Sequence, residues 1–180
     1  RRTLFHALNS RAMVRRYARN VGKTNKDVTV IVAHMGGGSS VSLHRNGLVI
    51  DVNDALGGDG PMSPERAGSV PAFPLVDLCF SGRYSKAEVK KMLVGKGGAV
   101  AHLGTNDFRE IISRAEAGDE SCAKFLNAFC VSVAKYIGAE ATVVGGRVDA
   151  IILTGGIAYS NYIANAITEM VKFIAPVEVY

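Results

Sequence analysis

The sequence predicts an α/β fold, in which helices flank a β-sheet. Residues 28–33 form a short apolar run rich in β-branched side chains, a pattern typical of a buried strand. Residues 149–153 indicate another strand, which leads through a turn into a helix. Between these strands, apolar residues recur every three to four positions in a long segment that starts at Asp119. Strands, then helices, then a strand–turn–helix unit are together the basis of this prediction.

The N-terminal part of the chain is predicted to form a helix and then three strands. The apolar positions of the helix are Leu4, Ala7, Leu8, Ala12, Val14 and Tyr17. It ends near Gly22, and the strand at 28–33 then leads into three consecutive glycines. A type I′ turn at Asn46-Gly47 connects the second strand to a third at 48–52, because both central residues of that turn need φ > 0.

The middle of the chain is predicted to contain a long loop and two short helices. Residues 56–71 are rich in Gly, Pro and Ser and too long for a simple connection, so they are a candidate functional segment. A short helix is predicted at 71–80, and a capping box at 85–88 begins another that runs to about Val94. Residues 97–104 are compatible with a strand or with a packed glycine-rich segment.

Two further helices are predicted from their caps. Asn106 or Asp107 can cap a helix that reaches Ala117, and Asp119 can begin a long one. The apolar face of the long helix consists of Cys122, Phe125, Leu126, Phe129, Cys130, Val133 and Ile137.

The C-terminal part is predicted to be a strand, a turn and a helix. The strand at 149–153 is followed by a Gly-Gly turn and by an amphipathic helix at about 160–174. A strand-like run follows at 177–180. Because no initiator Met precedes the first helical pattern and no helix follows the last strand, we expect both ends to be cut from a longer protein.

The composition is that of an ordinary globular protein. Of the 180 residues, 48% are hydrophobic and 21% are charged, and the formal net charge is +5. The densest basic cluster lies mostly on one face of the first helix and consists of Arg11, Arg15, Arg16 and Arg19. We interpret this cluster as a solvated helix face rather than a nucleic-acid site, because no aromatic platform or nucleic-acid motif accompanies it.

The cysteines and the hydropathy pattern bear on location. Cys79, Cys122 and Cys130 show neither a CxxC pair nor metal-ligand spacing, so no metal site is predicted, and the last two are expected to be buried free thiols. No signal peptide and no apolar run near 18 residues is recognisable. A reduced, cytoplasmic location without a membrane partner is therefore expected.

The three glycines at 36–38, called the glycine loop below, are a candidate anion site. Consecutive glycines allow close approach of the backbone to a ligand, and successive amide groups form an anion-binding concavity to which Ser39 and Ser40 add hydroxyl donors. The alternative is a glycine-rich bend without a ligand. The segment matches neither the P-loop nor the dinucleotide fingerprint, so a phosphate site here would lie between the strands of a hairpin.

Two long segments carry a resemblance to a known family. Residues 34–42, HMGGGSSVS, and residues 51–68, DVNDALGGDGPMSPERAG, closely resemble the acetokinase family within the sugar kinase/Hsp70/actin group. The resemblance extends from residues 5–9, FHALN, to residues 154–158, TGGIA, and so covers nearly the whole chain. The Ala-Leu-Asn-Ser sequence after His6 is similar to the butyrate-phosphorylating members rather than to the acetate kinases.

The resemblance implies an actin-like ATPase domain, which is ribonuclease H-like, with a mixed β-sheet flanked by helices. Residues 1–180 would be a single domain, the C-terminal half of an acetokinase-type enzyme, with the N-terminal domain and the last helix absent. The resemblance also implies ATP/ADP and Mg²⁺ as cofactors and a homo-oligomer. Without its partner domain, the chain is expected to bind nucleotide weakly and to turn over little or nothing.

Two residues are candidates for catalysis. Arg66 matches the catalytic arginine of the family, and a guanidinium group stabilises the charge that spreads over a transferring phosphoryl group. The alternative is a surface arginine paired with Glu65 or Asp59. His6 matches the family histidine assigned to transition-state stabilisation, for which an imidazole donor is suitable. The alternative is a helix histidine with a structural hydrogen bond.

The resemblance also implies the residues that hold the nucleotide. The phosphate-contacting residues would be His34, Gly36, Gly37, Gly38 and Ser39. The segment near the adenosine would comprise Asp107, Phe108 and Arg109, although Asp107 is also a candidate helix cap. A strand–helix turn that lets backbone approach the nucleotide would comprise Gly155, Gly156, Ile157 and Ala158. His44 and His102 receive no role, and His44 is expected to be solvated.

The function implied is reversible, ATP-dependent phosphorylation of a short-chain carboxylate, with butyrate as the first expectation. Acetate, propionate or a branched acid remains an alternative, because a pocket distinguishes one methylene by only about 1–3 kcal/mol. A noncatalytic actin-like module that binds nucleotide is an alternative of another class.

Overall fold

The structure, a computed structural model, describes residues 4–180 and contains one five-stranded sheet. The first three residues, Arg1–Thr3, lie outside the described residues. The strands are β1 Thr29–Met35, β2 Ser39–Arg45, β3 Leu48–Val52, β4 Ala150–Thr154 and β5 Val177–Val179, in the spatial order β3-β2-β1-β4-β5. Strands β1, β2 and β3 are antiparallel neighbours, whereas β4 pairs parallel to both β1 and β5. The predicted mixed sheet is therefore confirmed.

Seven α-helices surround the sheet in the described chain. They are α1 Ala7–Asn20, α2 Ala72–Phe80, α3 Lys86–Leu93, α4 Gly98–Leu103, α5 Phe108–Glu116, α6 Glu120–Val143 and α7 Asn161–Val171, with a 3₁₀ turn at Gly156–Tyr159. The Asn46-Gly47 turn has φ values of 54° and 77°, as a type I′ hairpin requires. The capping box of α3 is also formed, between Ser85 and Glu88.

The two faces of the sheet are covered unequally. One face packs on α5, α6 and α7 in a large core, and all seven predicted apolar positions of α6 are buried there. The other face packs on α1, through Val14, Tyr17 and Ala18. No helix within residues 4–180 is long and apolar enough to cross a membrane. Of the three thiols, Cys122 and Cys130 are buried and unpaired, as predicted, and Cys79 is exposed.

The predicted apolar face of α1 is wrong in part. Leu8 is 88% exposed and Ala12 is also exposed, whereas the buried positions include Ser10 and Val14. Leu8 is two residues from Ser10 and therefore lies about 200° around the helix from the buried face. The prediction assigned every apolar residue to the buried face, but the helix packs on the sheet through the face that includes the small Ser10.

The structure decides between the two interpretations of residues 97–104. A strand is wrong, because residues 98–103 form the short helix α4, and the segment is packed at its glycines, since Gly97 and Gly98 are buried. Gly98 has a φ of 57°, and a Cβ built on it would lie 1.8 Å from the carbonyl oxygen of Ser63. Two amides of this helix donate to the loop, from Ala99 to Ser63 and from Val100 to Pro64. The glycine thus allows α4 to begin directly against the long loop.

His44 is buried, which corrects the expectation of a solvated side chain. His44 is only 3% exposed, and its Nε2 lies 3.0 Å from Ser42 Oγ. Strand β2 lies between two other strands, with α6 packed on it and with His44 beside Arg11 and Val14 of α1, so alternation along it does not indicate an exposed side. Burial, with a smaller effect from Arg11, lowers the pKa of His44 to about 4.

Candidate active site

A cleft of about 790 Å³ lies at the end of the two parallel central strands. Its lining comes from the glycine loop after β1, the beginning of α5, and the 3₁₀ turn after β4. The two strand ends approach closely, since a Cβ on Gly155 would lie 2.3 Å from the carbonyl oxygen of Met35. Gly155 also has a φ of 90°, so only glycine suits this position. Parallel pairing of β1 with β4 therefore brings together the glycine loop and the turn after β4, which are far apart in the sequence.

The glycine loop presents hydrogen-bond donors that the protein itself does not use. The amide of Gly36 donates to the carbonyl of Gly38 at 3.0 Å. The amides of Gly37 and Gly38 have no acceptor within residues 4–180. Ser39 is 3% exposed, and its buried Oγ has no hydrogen-bond partner in the same part of the chain. Unpaired donors are costly unless a ligand or water satisfies them, so this arrangement suits an anion.

His6 and His34 lie beside the glycine loop as a stacked pair. Their ring centroids are 3.9 Å apart and the rings are inclined by only 18°. The Nδ1 atom of His6 is 2.8 Å from Ser40 Oγ, and that of His34 is 2.9 Å from Asn9 Oδ1. A hydrogen bond at Nδ1 fixes each ring and leaves its Nε2 for other contacts.

Both imidazoles are neutral at neutral pH because of their surroundings. Burial, with a smaller effect from His6, lowers the pKa of His34 to about 4. Burial also lowers the pKa of His6, and the charge of Arg66 adds to this shift. When Ser40 donates to Nδ1 of His6, the Nε2–H of that ring is a neutral donor suited to a developing negative charge.

Arg66 is held against the glycine loop without a carboxylate partner. Its Nη1 donates to the carbonyl of Ala55 at 2.7 Å, and a Cβ on Gly38 would lie 2.5 Å from the same atom. Within residues 4–180 Arg66 forms no ion pair, so the alternative of a pairing with Glu65 or Asp59 is wrong. A half-buried guanidinium with an unpaired charge can bind an anion at the glycine loop.

The other side of the cleft is formed by the start of α5. Asp107 caps this helix by accepting from the amide of Arg109 at 2.9 Å, which confirms the predicted cap. Its carboxylate also pairs with the guanidinium of Arg109 at 2.9 Å, although the Arg109 side chain is 92% exposed. Hydrogen bonds from Arg109 lower the pKa of Asp107 to about 2. Phe108 is 6% exposed and packs on Phe125 and Phe129, so it supports the cleft from the core.

The structure brings most of the predicted site residues together and adds others. Lining residues of the cleft for which the sequence analysis proposed no binding role are Pro64, Glu65, Ile112, Tyr159 and Ser160. Asn9 and Ser40, which fix the two histidines, were also missed as partners, although both lie inside segments that carry the family resemblance. Among residues 4–180 no group of three or more His, Cys, Asp or Glu side chains could hold a metal ion.

Sequence comparisons relate the chain to carboxylate kinases. A model of the Acetokinase family matches residues 1–176. The chain is 54% identical over 180 residues to Butyrate kinase 1 of Clostridium acetobutylicum, covering all of this chain and 51% of that protein. It is 48% identical over 178 residues to a probable butyrate kinase of Bacteroides thetaiotaomicron, covering 99% of this chain and 50% of that protein. The chain thus spans about half the length of the curated relatives it matches.

Structural comparisons agree. The structure superposes on acetate kinase of Porphyromonas gingivalis with a TM-score of 0.87 at 26% identity, covering 94% of this chain and 43% of that one. It superposes on a propionate kinase of Francisella tularensis with a TM-score of 0.84 at 22% identity, covering 94% of this chain and 50% of that one. The second likeness is one of fold alone.

Proposed function

The chain belongs to the acetokinase family and has its actin-like α/β fold, and we propose that the whole protein phosphorylates a short-chain carboxylate with ATP. The proposed reaction is butanoate + ATP = butanoyl phosphate + ADP, and it is reversible. The names of the similar proteins support butyrate as the first substrate to test. The observation that carries the proposal is the unpaired guanidinium of Arg66, which lies against a loop of free backbone donors.

The proposed step is a direct displacement at phosphorus. A carboxylate oxygen forms a bond to the γ-phosphorus while the bond from that phosphorus to the β–γ bridging oxygen breaks, and ADP leaves with the bonding electrons. Arg66 would stabilise the negative charge of the transferring phosphoryl group. His6 would donate a hydrogen bond to the same group, because its lowered pKa keeps the imidazole neutral at neutral pH.

We assign the rest of the cleft to the nucleotide. The amides of the glycine loop and the hydroxyl of Ser39 would bind phosphate oxygens, with His34 beside them. The adenosine would lie between the start of α5 and the turn after β4, near residues 107–109 and 155–158, and seven of the residues proposed for nucleotide binding line the cleft directly. These seven are Gly36, Gly37, Asp107, Phe108, Arg109, Gly156 and Ile157, so their substitution should weaken nucleotide binding.

Mg²⁺ is part of the proposal for the whole protein but not of any step derived from this chain. Kinases bind Mg²⁺ through substrate phosphates and one or two carboxylates. The described residues offer no carboxylate cluster that fits the ion. No residue within 4–180 is therefore assigned to the ion.

We also propose the organisation and setting of the whole protein. Residues 1–180 would be the C-terminal actin-like domain, the partner domain would close the cleft, and the protein would be a homo-oligomer. A cytoplasmic location is supported by three free thiols among the described residues, because exposed cysteines stay unpaired in reducing compartments.

The test is an acyl hydroxamate assay on the protein extended to its natural termini. ATP would be supplied with acetate, propionate, butyrate or isobutyrate, and nucleotide binding would be measured in parallel. Faster turnover of the four-carbon acids supports the proposal in full, and a preference for acetate corrects only the substrate. ATP binding without hydroxamate from any acid would overturn the catalytic assignment and favour the noncatalytic module. The 180-residue chain alone should bind ATP more weakly and form little or no product.

A further inference from the structure

The loop that carries Arg66 is closed at its base by a cluster of hydrogen bonds. The two ends of the loop meet where Ser69 Oγ donates to Asp59 Oδ1 at 2.8 Å and the amide of Ser69 donates to the carbonyl of Gly60 at 3.0 Å. Tyr136 on α6 completes this cluster. We call Asp59, Gly60, Ser69 and Tyr136 the loop base.

Tyr136 contacts every other member of the loop base. Its hydroxyl donates to Asp59 Oδ1 at 2.9 Å and accepts from the amide of Gly60 at 3.1 Å. It also lies 2.6 Å from Ser69 Oγ. One hydroxyl group therefore joins Asp59 and Ser69, which lie near the two ends of the loop, to a helix that is distant in the sequence.

The elements behind the loop base are among the most firmly packed in the molecule. Helix α6 buries Val133 and Ile137, on either side of Tyr136, in the main core. On the other side, Asn53 donates to the carbonyl of Asp59 at 3.0 Å and accepts from the amide of Val41 at 2.7 Å. The loop base thus connects the loop both to α6 and to strand β2.

The charges at the loop base agree with this hydrogen-bond arrangement. Partial burial alone would raise the pKa of Asp59, but hydrogen bonds from Ser69, Tyr136 and two amides hold it below its usual value. Burial mainly raises the pKa of Tyr136. At neutral pH an ionised carboxylate therefore faces a protonated phenol, and charge-assisted hydrogen bonds of this kind are stronger than neutral ones.

We propose that Tyr136 is a positioning residue, which holds the loop so that the Arg66 guanidinium stays between the Ala55 carbonyl and Gly38. This inference rests on the proposed function of Arg66 and deepens it. Tyr136 itself does not line the cleft. Displacement of a charged group by about 1 Å can lower a rate by about 100-fold, so loosening the loop base should affect turnover more than nucleotide binding.

The first experiment compares two Tyr→Phe variants in the whole protein. Tyr136→Phe removes the hydroxyl from the loop base, and we expect kcat for acyl hydroxamate to fall by about tenfold or more. The Kd for ATP should stay within about twofold of the wild-type value. Tyr17→Phe is the matched control, because within residues 4–180 the Tyr17 hydroxyl forms one hydrogen bond, to the Asp149 carbonyl at 3.4 Å, and Tyr17 packs on the opposite face of the sheet.

A second measurement separates the role of the loop base from the proposed reaction. Hydrogen exchange of peptides covering residues 54–71 should be faster in Tyr136→Phe and unchanged in Tyr17→Phe. Asp59→Asn keeps an acceptor oxygen and should retain most of the activity, whereas Asp59→Ala should resemble Tyr136→Phe. Combining Asp59→Ala with Tyr136→Phe should cost little more than either change, because both remove the same contact.

Several outcomes would overturn the inference. They are equal kcat in the two Tyr→Phe variants, unchanged exchange of residues 54–71, or an equal loss in ATP affinity and turnover with Tyr136→Phe. If the wild-type protein forms no acyl phosphate, the proposed function fails. The exchange experiment then still decides whether Tyr136 holds the loop.

Discussion

The candidate site contains two arginines that are held in different ways, one at its inner end against the glycine loop and one at its outer end in the lining of the cleft. At the inner end Arg66 is half-buried, donates to the carbonyl of Ala55 and has no carboxylate partner among the described residues. At the outer end the Arg109 side chain is 92% exposed and is paired with Asp107. An exposed, neutralised cation contributes little to anion binding, whereas a fixed and unpaired one can contribute a great deal. This difference predicts that Arg66 acts in the chemical step, whereas Arg109 contributes to nucleotide binding alone.

The difference originates in the backbone that carries each arginine. Arg66 lies in a loop that is held at its base by hydrogen bonds and that packs on the start of α4. Contacts from several elements therefore determine its position. Arg109 is in the first turn of α5, where a positive charge opposes the helix dipole. Its bonds to the capping Asp107 offset that penalty and also use up its charge.

The largest expected effect is that of removing the inner arginine. Arg66→Ala should lower kcat for acyl phosphate formation by about 1,000-fold, in the range found for arginines that stabilise a transferring phosphoryl group. The Kd for ATP should change by less than about threefold. Arg109→Ala in the same protein should lower kcat by less than about threefold and act mainly on the Kd for nucleotide. Comparable losses of kcat from both variants would contradict the distinction between the two ends.

Local sequence patterns were sufficient to predict most elements of the fold. The β-branched runs, the Asn46-Gly47 turn and the cap at Asp119 are determined by neighbouring residues, and all three were predicted correctly. The buried face of α1 and the burial of His44 depend on which elements cover them, so local periodicity could not predict either.

The candidate site was predicted less completely. The family resemblance named the segments around the cleft, and parallel pairing of β1 with β4 brings two of them together. The residues that hold these segments in place escaped prediction. Tyr136 is 77 positions from Asp59, and His6 is 34 positions from Ser40, so no local pattern relates them.

Adding one methyl group to the glycine loop should test the role of the inner end, separately from that of the outer end, without removing a charge. A Cβ on Gly38 would lie 2.5 Å from Nη1 of Arg66, so Gly38→Ala must displace the guanidinium. Because a side-chain end can move aside, the free energy of unfolding should change little while kcat falls about 10- to 100-fold. Gly37→Ala is the comparison, since a Cβ there meets nothing within 4 Å. A smaller loss of kcat is expected from it, and an equal or larger loss would contradict the role of Arg66 displacement.

A pH series should distinguish the buried histidines of the protein. The folded-state pKa of His34 is about 4, below an unfolded value of about 6.5, so the unfolded state binds the proton first. His34 therefore stabilises the fold fully above pH 6.5, and the contribution is lost as the pH falls towards 4. Allowing for the partial exposure of His34, we expect its titration to lower the free energy of unfolding by about 1–2 kcal/mol at pH 4.5 relative to pH 7.5. Denaturant unfolding at the two pH values measures this difference.

Two histidine variants provide the control for this series. His34→Gln and His44→Gln should each flatten the dependence of the unfolding free energy on pH, because the pKa of His44 is also lowered to about 4. Only His34→Gln should change kcat, since His34 stacks on His6 beside the glycine loop, whereas His44 lies beside Arg11 and Val14 of α1. An unchanged pH dependence in both variants would show that other groups cause the acid sensitivity.

The smallest expected effect is at the outer end. Asp107→Asn keeps the helix cap and removes a solvent-exposed ion pair with Arg109, so the free energy of unfolding should change little. The pKa of Asp107 is lowered to about 2, so its charge stabilises the protein above pH 3.8 and is lost only as the pH falls towards 2. Measurements by denaturant unfolding at pH 7 and by ATP titration would give both quantities.

The chain contains a matched cap for this last comparison. Asp119 caps α6 through the amides of Ser121 and Cys122 and pairs with Arg114 at 2.8 Å, but it lies outside the cleft lining. Asp107→Asn and Asp119→Asn should therefore have similar small effects on unfolding. If Asp107 contacts the nucleotide as well as capping the helix, only Asp107→Asn will change the Kd for ATP. If the two variants bind ATP equally well, Asp107 is a helix cap alone, and the outer end holds the nucleotide through backbone and apolar surface.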